Sequence, residues 1–469
     1  MVRVRLLFAV VVVAVSCSSP PTVRLEDDAA PPTPTPAPTT APEPTAPTPD
    51  APAEEAQAGA RLVVQHADGR LTTILPDGTD ELPLTEEGAA VEASEPVWSP
   101  DAGRLAWVEV AASGRATIVS SRFDQSGRVE YGLDAPASYL AWDPTSTRVA
   151  SLTPEGAETV LSVTEVVREL PPLAIDQGAP YFFSWGPDGD ELFVHASGFR
   201  ADRVSVTGTT IIIDDDAGPF RTPAWTDADR ALVYATAGAR SELVSAGREG
   251  EGRLPIATYD GYLTFVVHPD QVRIALQVVE PPAELSDVIT TAGPGAAPAE
   301  LLPAAASQPV EPEPTVGPVD PVDELPRDLL QTLAVYGGDP ILVDLDPVVA
   351  FSWSPTGEHL AYLVQTATEP ETWFEWRFFD GSDRFAGPRF RPSELMVSDH
   401  LAHFDQYALS HSFFSPDGTA FVYTGATPTD AEGVWVLPLE PGAPADRISD
   451  GVFAAWSPGP AGSQGTTAP

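Results

Sequence analysis

The sequence predicts an all-β fold, a β-propeller of eight four-stranded blades, and three observations predict it. An aromatic residue followed by Ser, Asp or Gly, then Pro, then Asp or Thr, recurs along the chain. It occurs at Trp98, Trp142, Trp185, Trp353 and Phe414, at Trp456 with Gly in the last place, and as weaker copies at Trp225 and at Val267-His-Pro-Asp. The successive spacings are 44, 43, 40, 42, 86, 61 and 42 residues, and five of them match the length of one four-stranded blade. The repeats also begin on three short strand-like runs in residues 61–85 and end on a single one at 452–457. A C-terminal strand can therefore complete the N-terminal blade and leave no open sheet edge. Without the long insert at 280–326, residues 61–458 average about 44 per blade. Seven blades are the alternative if the Trp225 or Val267 unit merges with a neighbour.

The motif has a local physical meaning. A strand ends on the aromatic, Pro presets φ for a tight turn, and Asp accepts hydrogen bonds from the turn backbone. Gly then takes a positive φ before the return strand. Return strands are expected at Arg104–Val110, Glu191–His195, Ala231–Ala235, Arg273–Val279, His359–Val364 and Thr419–Tyr423. Trp98, Trp142, Trp185, Trp225, Trp353 and Trp456 are read as packing residues between blades, since six of ten Trp share this one position.

Ahead of the repeats, Arg3 and Arg5 precede an apolar run, Leu6 to Val15, that is too short to span a bilayer. Ala14-Val15-Ser16 then leads into Cys17, the only cysteine. This resembles the lipobox of bacterial lipoproteins, which implies cleavage after residue 16 and lipid on the sulfur of Cys17. The expected location is the extracytoplasmic face of a membrane, and no intramolecular disulfide is available. Residues 17–59 form a tether: twelve prolines in 18–58 with almost no apolar bulk cannot build a core. Residues 60–458 carry the propeller, and 459–469 form a polar tail.

The repeat itself, Trp-Ser-Pro-Asp-Gly followed by an apolar run, is similar to that of TolB-like propellers, over roughly residues 60–458. That resemblance implies fold far more than function. Relatives of prolyl oligopeptidase share such propellers but add a hydrolase domain. This chain has no Gly-x-Ser-x-Gly elbow to support Ser-His-Asp chemistry.

Charge narrows the partners. There are 25 basic residues, all Arg, against 68 acidic ones, for a formal charge of −43. Nucleic acid is excluded as a partner, because binding it rests on neutralising phosphates. The absence of Lys, with abundant Ala, Pro and Arg, also reads as a high-GC bacterial genome and suits a saline habitat.

Two insertions fall on the same face, the one opposite the motif turns. The first, 280–326, holds 11 prolines and nine acids with no base, and reads as a flap or partner-docking segment. The second, about 390–409, together with the strand entry after it, holds His400, His403, Asp405, Gln406 and His411. His-x-x-His-x-Asp can present ligands to one divalent metal, and some TolB-like propellers are metal-dependent lyases with His and Gln ligands. Alternatively, Asp405, Tyr407 and His411 hydrogen-bond the loop into the blade. Asp214, Asp215 and Asp216 end a β-branched strand and form a candidate acidic rim for a cation. The leading expectation is a non-catalytic binding scaffold for an envelope protein or peptide, with no cofactor. The alternative is a metal-dependent enzyme acting on saccharides or peptides through the His/Asp cluster.

Overall fold

The computed structural model describes residues 60–85, 91–218, 220–226, 231–236, 241–279, 328–334, 339–367 and 372–459. The expected signal segment, Cys17, the tether, the 280–326 insert and the tail beyond Gly459 lie outside the described residues. What is described is all-β, built from antiparallel meanders, as the alternation of short apolar runs and Gly/Pro turns requires. In chain order, β1 (Leu62–Gln65), β2 (Leu71–Ile74) and β3 (Leu82–Pro83) start one sheet. Next come β4 (Val91–Trp98), β5 (Leu105–Ala111), β6 (Ala116–Ser121) and β7 (Val129–Leu133), and then β8 (Tyr139–Trp142), β9 (Arg148–Glu155), β10 (Glu158–Glu165) and β11 (Leu173–Gly178). A third four-stranded meander runs through β12 (Tyr181–Trp185), β13 (Glu191–Ala196), β14 (Arg200–Ser205) and β15 (Thr210–Asp214). It is followed by β16 (Ala224–Thr226), β17 (Ala231–Thr236), β18 (Ser241–Ala246) and β19 (Leu254–Tyr259). Then β20 (Tyr262–Val267), β21 (Arg273–Val279), β22 (Asp328–Ala334) and β23 (Ile341–Asp344) form the next.

A seven-stranded sheet holds β24 (Val348–Trp353), β25 (Leu360–Ala367), β26 (Trp373–Phe379) and β27 (Arg384–Pro392), then β28 (Ala420–Ala426), β29 (Gly433–Pro438) and β30 (Asp446–Ser449). Its two parts are joined only by Arg391↔Ala426 and Pro392↔Gly425. The last strand, β31 (Phe453–Trp456), pairs with β1 from Leu62↔Trp456 to Gln65↔Phe453. The last described strand thus lies in the same sheet as the first three described.

The Asp of the recurring motif behaves as its chemistry dictates, but the positive φ expected of Gly is taken at three repeats by Ala102, Ser146 and Gln271, at 57°, 58° and 60°. Asp101 Oδ1 accepts from Gly103 N at 2.9 Å and from Ser99 Oγ at 2.6 Å, and Asp417 does the same for Thr419 N and Ser415 Oγ. Gly189, Gly357 and Gly418 sit at φ 69°, 74° and 72°, in the left-handed region that a side chain resists. Three of the motif Trp indoles pin one sheet to the next. Trp142 Nε1 donates to Val97 O at 3.2 Å, Trp185 to Ala141 O at 3.2 Å and Trp353 to Val266 O at 3.3 Å. In each case the acceptor is the residue just before the motif position of the preceding sheet. Phe414 departs from the pattern. It lies on no full strand, making only an isolated bridge to Phe421, while Ser412 bridges Trp456. The chain arrives there late, after the excursion over 393–411 described below.

A second repeat was not foreseen. The outer strands β11, β15, β19, β23 and β30 each carry a bulge, and the extra residue is Ile175, Ile213, Ile256, Val343 or Ile448. Bulging bends an edge away from new partners. At three of these strands the residue after the bulge is an Asp that clamps the following sheet. Asp176 accepts from Tyr181 and Arg200, Asp214 from Tyr234 and Arg253, and Asp344 from Tyr362 and Arg377. Burial opposes ionisation of Asp344, but the Asp346 and Leu345 N–H groups, Tyr362 and Arg377 outweigh it and hold its carboxyl below the usual range. A depressed carboxyl contributes stability above its unfolded pKa, about 3.9, and that stability is lost as pH falls through the folded value. Asp344→Ala is therefore expected to cost about 2 kcal/mol at neutral pH. Urea melts at pH 7 and near pH 2 check this, and a cost that does not shrink in acid would count against the clamp.

Candidate functional site

Segment 393–411 leaves the outer strand β27, runs inward and returns to the strand position at 412. Ser393 starts it, with Oγ donating to Val452 O at 2.6 Å and accepting from Met396 N at 3.2 Å. A π-helix, Met396–Leu401, leads into the one-turn α1 (Phe404–Tyr407). Apolar anchors seat it: Met396, Leu401 and Phe404 are buried, and Phe404 lies 4.8 Å from Phe351 of β24, ring centre to ring centre.

Its polar side chains reach the first strands of several sheets at once. Gln406 bridges Phe183 of β12 through both backbone groups: Phe183 N donates to its Oε1 at 2.9 Å, and its Nε2 donates to Phe183 O at 2.7 Å. Asp405, 2% exposed, has Oδ1 at 2.9 Å from Arg221 Nη2 and accepts from Thr222 N at 3.1 Å. Tyr407 donates to Glu95 Oε2 of β4 at 2.8 Å, and Tyr139 of β8 donates to Gln406 O at 3.0 Å while its oxygen lies 2.8 Å from Ser410 Oγ. His411 Nε2 lies 3.1 Å from Pro96 O and its Nδ1 2.8 Å from Ser410 Oγ. The His400 ring stacks on Phe453 of β31 at 4.0 Å and 8°. One short segment touches β4, β8, β12, β24 and β31 only where these strands converge.

The sequence-predicted residues are thus brought into one region but not around one point. His400 and His411 are 5.8 Å apart by ring centres, while His403 is exposed, with Nδ1 3.2 Å from Asp399 O. Asp405 and Gln406 are spent on Arg221 and Phe183. Among the described residues no three His, Cys, Asp or Glu side chains converge as metal ligands, so this arrangement does not fit a shared ion. Chelation with EDTA is accordingly expected to leave the melting temperature unchanged within about 1 °C, the error of a scanning melt; a larger loss would reveal a structural metal.

The acidic rim lies elsewhere. Asp214 is taken up by Arg253 at 2.5 Å and Tyr234 at 3.2 Å, and Asp215 and Asp216 are exposed beyond it. Burial dominates titration in the convergent region. It pushes Glu95 up to about 8, with Tyr407 opposing and Asp399 adding to the rise. It pulls His411 down to about 4 against the Pro96 hydrogen bond, and His400 well below its ordinary range. Glu95, Tyr139, Phe183, Arg221 and Thr222 form the socket, and sequence reasoning missed all five. Glu95 did leave a signal, a carboxyl three residues before the motif Trp, in the place of Tyr139.

No family model matches the sequence, and no curated protein matches it. Solved structures do. The chain is similar to a crystal structure of a eukaryotic initiation factor at 8% identity, over 85% of this chain and 98% of that one, with a TM-score of 0.50. It is similar to the β-propeller domain of the trilobed protease from Pyrococcus furiosus at 10% identity, over 77% and 99%, with a TM-score of 0.41. TolB from Acinetobacter baumannii matches at 10% identity over 68% of this chain and 60% of that one, with a TM-score of 0.35. At such identities these are likenesses of fold alone. Among the described residues no helix is long and apolar enough to cross a membrane.

Proposed function

We propose that the chain is a lipid-anchored, extracytoplasmic β-propeller of eight blades, closed by β31, that serves as a non-catalytic binding scaffold in the cell envelope. The observation that carries the reading is the engagement of the side chains best suited to chemistry. His400, His411, Asp405 and Gln406 are buried and held by Phe453, Pro96, Arg221 and Phe183. The seven motif-ended first strands, with Ser412–Phe414 in the eighth place, support the blade count. The pairing of β31 with β1 supports closure. The Arg3, Arg5 and Leu6–Val15 run before Cys17 supports export and lipidation, and the Pro-rich 17–59 stretch supports a tether.

Full-length protein and Cys17→Ser, expressed with a clickable fatty acid, test the anchor. The parent is expected to be labelled and to sediment with membranes, and the variant to be unlabelled and released. An unlabelled, cytoplasmic parent would overturn the localisation. Turnover of a saccharide or peptide that disappears in a folded His411→Ala variant would overturn the non-catalytic reading in favour of the enzyme.

A further inference from the structure

We propose that segment 393–411 is a resident pseudo-ligand, and that the socket beneath it binds a peptide presenting a carboxylate beside a carboxamide. This deepens the scaffold reading and rests on it. The template is Asp405-Gln406 itself. Arg221 and Thr222 N form a carboxylate site, and Phe183 N and O form an amide site on a first-strand edge whose groups no neighbouring strand pairs. Arg221 also donates to Ala402 O and lies 5.6 Å over the Phe404 ring, so one guanidinium reads backbone, carboxylate and aromatic together. Its side chain keeps 32% of its surface open to solvent, which gives an incoming carboxylate access. Extended or turn-borne peptides are commonly held by such edge hydrogen bonds combined with a charge anchor.

A second, independent observation marks the segment as replaceable rather than as ordinary core. Three local features meet at this segment. The segment contains the π-helix Met396–Leu401, a rare form that is frequent at functional sites. Glu95 faces it from a strand position at φ 55°, in the left-handed region. The buried His400 Nδ1 has no hydrogen-bond partner among the described residues.

The test uses the full chain with Asp405→Ala and Gln406→Ala, which removes both anchors of the resident segment. The probe is the fluorescent peptide Ala-His-Phe-Asp-Gln-Tyr-Ala-Leu-Ser-His, at about 0.15 M salt so that distant surface charge is screened beyond about 8 Å. Saturable binding to the variant is expected, about tenfold or more tighter than to the parent, in which the resident segment competes. Adding Arg221→Ala is expected to weaken it about tenfold or more. A folded variant without saturable binding at about 1 mM peptide, or binding indifferent to Arg221, would overturn the proposal. Hydrogen exchange on the parent decides the matter if the variant fails to fold. Amides 396–410 opening about 100-fold more often than those of β12 support displacement, and equal protection overturns it. Either negative result leaves the scaffold reading intact, whereas turnover would sink that reading and this proposal with it.

Discussion

Glu95→Gln is expected to stabilise the protein at pH 8 by roughly 5 °C in melting temperature, with no gain near pH 4.5. The carboxyl is buried at the end of the Tyr407 hydrogen bond, and burial raises its pKa to about 8. A raised carboxyl pKa means the folded state prefers the protonated form, so this group's stability is fully present below the unfolded pKa. It is lost as pH climbs through the interval up to the folded value. Across that interval the loss is on the order of 4 kcal/mol. For a domain of this size that corresponds to roughly 5 °C, from the typical unfolding entropy per residue. Gln keeps an acceptor for Tyr407 and has nothing to ionise. The charged groups near Glu95 speak the same way: Asp399 disfavours its ionisation, and no cation is among the causes of its shift. Melting curves of parent and variant between pH 4.5 and 9 check this. Parallel pH dependences would show that Glu95 is ionised at no cost, and would remove the neutral-carboxyl picture of the socket.

Much of the sheet architecture was legible because it is repeated and local. The expected return strand Arg273–Val279 matches its observed bounds, and Glu191–His195 and Ala231–Ala235 fall one residue short of theirs. Pro, Asp and Gly fix a turn within six residues, whatever the rest of the chain does. The Asp clamps were equally repeated yet went unread as clamps. Asp176 and Tyr181 are five residues apart, but Asp344 and Tyr362 are eighteen apart, so no fixed spacing connects them. The site was half legible. His400, His403, Asp405, Gln406 and His411 stood out as a cluster of polar residues in one loop. Which of them would point inward depended on Arg221, Phe183 and Glu95, whose contacts with the segment span 181 to more than 300 residues. Contacts of that range are decided by how the sheets converge, and no local pattern encodes them. The same distance explains Phe414: its motif is intact, but the strand it should end is shortened by the excursion before it.

Truncation after Gly451 is expected to abolish cooperative folding, the largest single effect anticipated for this protein. It removes β31, whose Phe453, Ala454, Ala455 and Trp456 are at most 3% exposed. Fully burying such side chains contributes about 1.5–3 kcal/mol for each large one, before cavity effects. It also strips β1 of its partner from Leu62 to Gln65, removes Ser457 Oγ from Arg61 N, and takes Phe453 from the His400 ring. The first sheet would keep three strands, with Leu62, Val63 and Val64, now buried, facing a missing neighbour. Because Phe453 also floors the inward segment, the damage spreads to the socket, and loss of peptide binding should accompany loss of the melt. Supplying residues 450–459 in trans as a peptide should partly restore both if the defect is the missing strand. A truncated protein that melts cooperatively within about 5 °C of the parent would show that the β1–β31 pairing contributes little, and closure by that pairing would have to be abandoned.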